Sequence, residues 1–295
     1  MELWIPIAIG AAFLQNIRSS LQKHLKGQLS TGGATFSRFV FGVPLALCLM
    51  GVLISSGATM PSPNLRFTTF AMIGGISQIT ATFLLVHLFG LRNFAVGTTL
   101  SKTETIQAAI FGILLLGDQI SGGAAIAIIV SLFGVVLLST PDGLRGGILN
   151  RSSLIGLASG TAFAVSGVSY RAASLSLESG DFLVRASFTL VVVIIFQTVI
   201  MAIWLRLKEA GQIGKVIASW RVSIWVGISG GLASFGWFSA MTLQNAAYVK
   251  ALGQIEILFT IAVSIIFFRE KPTPREWVGI LLACAGILIL LLWRK

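Results

Sequence analysis

The chain has 295 residues, of which 55% are hydrophobic and 11% charged, with a mean hydropathy of +0.92 and a formal net charge of +11. Globular domains carry about 25% charged residues, so this composition excludes a soluble fold and points to an all-α integral membrane protein. The surplus of Lys and Arg is not a nucleic-acid footprint, because these residues stand singly between apolar runs, where they set topology and meet anionic headgroups.

Apolar runs of the length that crosses about 30 Å of hydrocarbon follow one another along the chain. They predict ten transmembrane spans at 3–22, 33–54, 67–90, 94–116, 122–140, 153–177, 182–205, 221–244, 247–268 and 275–293. Glu2 stands where a signal peptide would carry basic residues, so the first run reads as a retained helix. Turn chemistry marks the breaks, as in Thr31-Gly32-Gly33, Pro61-Ser62-Pro63-Asn64, Pro141-Asp142-Gly143 and Lys271-Pro272-Thr273-Pro274. The loops are short, so successive spans run antiparallel. Cys48 and Cys284 both fall inside apolar runs, which leaves no disulfide framework, no metal motif and no call for a cofactor.

The fourth and fifth spans align with the ninth and tenth without a gap, residues 95–139 on 247–291. The offset of 152 pairs Glu104 with Glu256, Asp118 with Glu270, and Ser121 with Thr273, and each glutamate precedes its paired acid by fourteen residues. Small residues also correspond, Ala127, Ser131 and Gly134 against Gly279, Ala283 and Gly286, a spacing that permits close helix packing. Gly74-Gly75 in the third span has Gly230-Gly231 in the eighth, and Arg38 near the start of the second span matches Arg185 in the seventh. Two sequential copies of an odd number of spans insert in opposite orientations, which predicts inverted repeats over 1–140 and 153–295 joined by a loop at 141–152.

A mid-span acid, a run closed by a second acid, a short polar turn and a small-residue helix, all occurring twice, resemble the drug/metabolite transporter superfamily, in particular its ten-helix EamA-type members. The chain departs from that pattern where a proline commonly follows the mid-span acid, since Thr105 and Ile257 stand there. The resemblance implies a secondary transporter with both termini in the cytoplasm. In nucleotide-sugar and phosphosugar relatives it also implies lysines on the fourth and ninth spans that hold substrate phosphate.

The residues themselves say where chemistry belongs. Glu104 lies fourteen residues inside Asp118, about 21 Å at 1.5 Å per residue, and Glu256 has the same depth from the opposite face. A carboxylate there costs about 2.5 to 3.5 kcal/mol on insertion scales, so both acids are candidates for solute binding or proton coupling, against the plain alternative of capped structural carboxylates. Lys102 is two residues before Glu104 and points to another face of the helix, which makes Glu256 its candidate partner. Lys250 and Gln254 share a face at i, i+4, although Lys250 is also close enough to a helix end to reach the headgroups. Trp237, Gln78, His87 and Asn16 complete the candidate lining of an organic-solute cavity. Each has a plain reading as well: packing for His87, an interface-belt aromatic for Trp237. Gln15, Asn16 and Arg18 read equally as the end of the first helix, with Arg18 snorkelling.

Lys and Arg in odd-numbered loops number twelve against four in even-numbered loops and termini, which places both termini outside the cell membrane and opposes the orientation that the resemblance implies. The functional expectation is an exporter of a small amino-acid-like or other zwitterionic metabolite or drug, working by alternating access in the inner membrane among lipids. An anionic sugar-phosphate-like solute is the alternative. An enzyme acting on lipid headgroups, a channel and a scaffold are the competing classes. The enzyme is disfavoured because the only histidines are His24 and His87, and a channel because two copies of one acid suit a single occluded site.

Overall fold

A computed structural model describes residues 2–91, 100–139, 151–259 and 274–292. Glu270, the Pro141 turn and the Lys271 to Thr273 part of the last turn lie outside the described residues. The described chain is helical throughout: α1 (Trp4–Leu25), α2 (Thr31–Val40), α3 (Val43–Ser55), α4 (Leu65–Leu88), α5 (Glu104–Leu116), α6 (Gly122–Ser139), α7 (Arg151–Ser176), α8 (Phe182–Lys208), α9 (Gln212–Ala218), α10 (Trp220–Leu243), α11 (Ala246–Gly253) and α12 (Pro274–Leu292). Five stretches are long and apolar enough to cross a membrane, Thr31–Ser55, Leu65–Leu88, Arg151–Ser176, Phe182–Lys208 and Trp220–Leu243, and α5, α6 and α12 are shorter apolar helices. Large apolar side chains such as Leu47, Phe133, Ile203 and Leu288 face outward, as a lipid solvent requires. This is an all-helical membrane protein.

Local chemistry sets the ends of these helices. Ser30, Asn64 and Asp181 each accept a hydrogen bond from the backbone N–H three residues on, capping α2, α4 and α8. Gly117 closes α5 in the left-handed region at φ +67°, where a side chain is strained. The second span differs from its prediction as one helix. It breaks after Val40 because Pro44 has no N–H to offer Val40, and Gly42 instead bonds Phe39 O. Gly227 of α10 packs directly against this break: a Cβ there would sit 2.3 Å from the Phe41 carbonyl carbon.

The tightest antiparallel pairs are α4 on α7, α1 on α10, and α6 on α12. They pack in matching ways. Gly74 of α4 receives the Tyr170 ring of α7, while Gly230 of α10 receives the Arg18 stem of α1; Gly75 abuts Phe196 of α8, and Gly231 abuts Leu45 of α3. On α6 and α12 the two small-residue stripes interlock, with Gly134 against the Ala283 backbone and Gly286 against Ser131. Arg38 and Arg185 are not counterparts. Arg38 sits in the last turn of α2, 3% exposed, and donates to Thr82 Oγ1 and Ser234 Oγ. Arg185 sits in the first turn of α8 and donates to the Gly180 carbonyl at the membrane edge.

The fourth and ninth spans are both interrupted, at equivalent places. Helical turns at Leu100 and Ser101 give way to a turn at Lys102-Thr103 before α5 begins at Glu104; α11 stops at Gly253, Gln254 forms a turn, and helix resumes over 255–259. Tight i to i−3 bonds make these turns, Thr105 N to Lys102 O and Ile257 N to Gln254 O. Glu104 therefore opens a helix rather than lying in the middle of one. Substituting Gly227→Ala drives a methyl into the Phe41 backbone, so the detergent-solubilised protein should lose about 1–3 kcal/mol of stability. Gly51→Ala, with nothing within 4 Å of the added methyl, should be neutral or stabilising in the same thermal melts.

Candidate solute-binding site

The two interruptions face each other inside the bundle, and their charges pair crosswise. Lys102 Nζ lies 3.0 Å from Glu256 Oε2, and Lys250 Nζ lies 3.3 Å from Glu104 Oε2. Gln15 Nε2 of α1 also donates to Glu256 Oε2 at 3.0 Å, and Trp237 Nε1 of α10 donates to Gln15 Oε1 at 3.0 Å. The Lys250 ammonium lies over two rings, 5.4 Å from Trp237 and 5.5 Å from Phe163, an arrangement that stabilises a cation. Glycines let the broken segments in. Gly160 of α7 abuts the Ser101 carbonyl, and Gly253 abuts the Trp237 ring.

Above these pairs is a cavity of about 250 Å³, lined by Gln15, Arg18, Lys102, Glu104, Lys250 and Glu256, with Ser19, Ser101, Leu85, Phe89 and Phe163 completing its wall. It lies toward the C-terminal ends of α1 and α4. At the far end of the bundle, Arg171 of α7 donates to the carbonyls of Met241 and Gln244 and to Asn245 Oδ1, and its Nη2 lies 3.5 Å from Asp118 Oδ1. That clamp ties the ends of α5, α7 and α10 together.

Glu104, Glu256, Lys102 and Lys250 thus share one cavity, and Trp237 and Gln254 join them in its floor. Gln254 is buried and bonded at both ends of its amide, donating to Thr105 Oγ1 at 2.8 Å and accepting from Ser131 Oγ at 2.9 Å. Asn16 is at the edge, its Nδ2 3.5 Å from the Glu256 carbonyl. Gln78 is elsewhere: it accepts from Tyr170 and Gln197 in a buried amide cluster between α4, α7 and α8. His87, in the last turn of α4, is half-buried and not part of the cavity wall.

Two further residues, Gln15 and Arg18, line the cavity. The helix-end reading of Gln15 and Arg18 fails, because α1 continues to Leu25 and Arg18 is 2% exposed. It does not snorkel. The available signal was spacing: Trp4, Ala8, Ala11, Arg18, Gln22 and Leu25 are buried, and Gln15 falls in the same three-and-four register, so the polar residues continue the packing stripe.

Residues 150–292 match the EamA-like transporter family. A solved crystal structure of a protein shares the fold, with a TM-score of 0.75 at 14% identity over 99% of this chain and 97% of that one. No curated protein matches the sequence.

Removing one member of a buried ion pair strands the other. Lys102→Met and Glu256→Gln should each lower the melting temperature in detergent, and the double variant should recover much of the loss. The resulting double-mutant cycle should give a coupling of about 0.5–3 kcal/mol.

Proposed function

The chain belongs to the EamA-like transporter family, and we propose that it is a secondary transporter that exports a small organic metabolite by alternating access. Membership supports a membrane-embedded drug/metabolite transporter over an enzyme. The observation that carries the finer reading is the cavity whose four central charges come from two facing helix interruptions. Interrupted spans that bring side chains and free backbone ends to a buried solute site are a recurrent transporter device.

Two five-helix units, 1–140 and 153–295, are the moving parts in this reading. Support comes from packing: exchanging each span for the one five places later turns the α4–α7 contact into α10–α1, with glycine pairs at the corresponding places. The Arg171–Asp118 clamp serves as the closure on one side while the cavity lies on the other. A proton arriving at Glu104 or Glu256 would release the lysine held there, which gives a direct route for proton coupling. Of the solutes considered, a zwitterion would need to open one Lys–Glu pair for its ammonium, whereas an anionic group meets cations already on the wall. The inner membrane is the proposed location, with the Lys- and Arg-rich odd loops in the cytoplasm.

In proteoliposome counterflow over amino acids, polyamines, sugar phosphates and cationic drugs, Glu104→Gln and Glu256→Gln should each cut exchange at least about tenfold, a change of about 1.4 kcal/mol, with the protein still monodisperse. Wild-type rates in both variants would make these acids structural. A periplasm-active phosphatase fused after Lys295 should be active if the loop charges set the orientation, and silent if both termini face the cytoplasm.

A further inference from the structure

We propose that Arg18 is the seat for an oxyanion group of the transported solute, so that the substrate class is a small organic acid bearing net negative charge. This rests on the transporter reading above and deepens it.

Arg18 lines the cavity although only 2% of it is exposed. Its Nη2 donates to the Ser19 hydroxyl at 3.2 Å, and its Nε is buried with no hydrogen-bond partner. Among the described residues, no carboxylate lies within ion-pair distance of it. An arginine is always protonated in a protein, and a buried charge without a counter-charge is costly.

The carboxylates of the cavity wall are already engaged by other cations. Glu256 is held by Lys102 and Gln15, and Glu104 by Lys250. Three cationic side chains thus meet two carboxylates on the wall. Arg38 stands directly behind, sharing the Gly230 notch with the Arg18 stem, and its hydrogen bonds go to the neutral hydroxyls of Thr82 and Ser234. It adds to the excess.

The matching place on α7 makes the contrast sharp. There the side chain set into the glycine notch is Tyr170, neutral and bonded to both Gln78 and Gln197. Of these two glycine notches, the one on the α1 side holds a charge with a donor to spare, and it opens on the cavity beside Ser19 and Ser101. A guanidinium fork with free N–H groups matches a carboxylate or a phosphate.

The test uses the full-length protein in proteoliposomes, by counterflow of succinate, 3-phosphoglycerate, leucine and putrescine. The wild type should exchange succinate or 3-phosphoglycerate, and which of the two it takes separates carboxylate from phosphate. Leucine and putrescine should be exchanged at least tenfold more slowly. Arg18→Gln should lower exchange of the anion tenfold or more, and Arg18→Lys should raise its half-saturation concentration several-fold by keeping the charge but losing the fork. Should Arg18→Gln fail to fold, the wild-type selectivity and Arg18→Lys decide the matter. Exchange of leucine or putrescine in preference to both acids overturns the anion seat and leaves the transporter reading standing. An unchanged half-saturation concentration in Arg18→Lys does the same. No exchange of any of the four solutes by the wild type removes the transporter reading and the seat together.

Discussion

A charge inside a bilayer needs an opposite charge close by, and in this protein the two central carboxylates find theirs across the bundle. Glu104 opens α5 but is held by Lys250 of α11, and Glu256 follows α11 but is held by Lys102 just before α5. Each intramembrane charge costs about 2.5–3.5 kcal/mol on insertion scales, so four of them are tolerable only where pairing and a polar cavity offset the expense. The helix interruptions follow from the same need. A continuous helix would carry Lys102 and Glu104 to different faces, whereas a turn at Lys102-Thr103 lets both address the same cavity.

Much of this was legible in the sequence, for physical reasons. Span length and apolarity follow from the solvent, so the unbroken spans lie within a few residues of their predicted positions, α7 at Arg151–Ser176 against 153–177, for example. The offset between Glu104 and Glu256 survives because charged positions in an apolar background are few and conspicuous. The spacing of Lys102 and Glu104 ruled out a pair on one helix face, and that argument led to Glu256. The small-residue stripes of α6 and α12 announced a contact between backbones, and the two backbones do meet there.

Other features were hidden. The interruptions in the fourth and ninth spans have no proline at the turn; they depend on Gly160 and Gly253 admitting neighbouring segments, contacts between residues far apart in the chain. Arg18 stays ambiguous because an arginine near a helix end looks the same in sequence whether it reaches out to headgroups or turns inward, and only the length of α1 separates the two. Gln78 illustrates the converse. A buried amide satisfied by Tyr170 and Gln197 has the same sequence signature as one that waits for a ligand.

The lysines carry a last consequence. The carboxylates occupy equivalent positions, but Lys102 corresponds to Gln254 and Lys250 to Thr98. If the two units trade roles during a cycle, the exchange cannot reproduce the starting electrostatics. The inward-open and outward-open forms are then not degenerate. Under the proposed alternating access, an empty carrier of this build would favour one side of the membrane, and that bias would weigh on the rate of the return step.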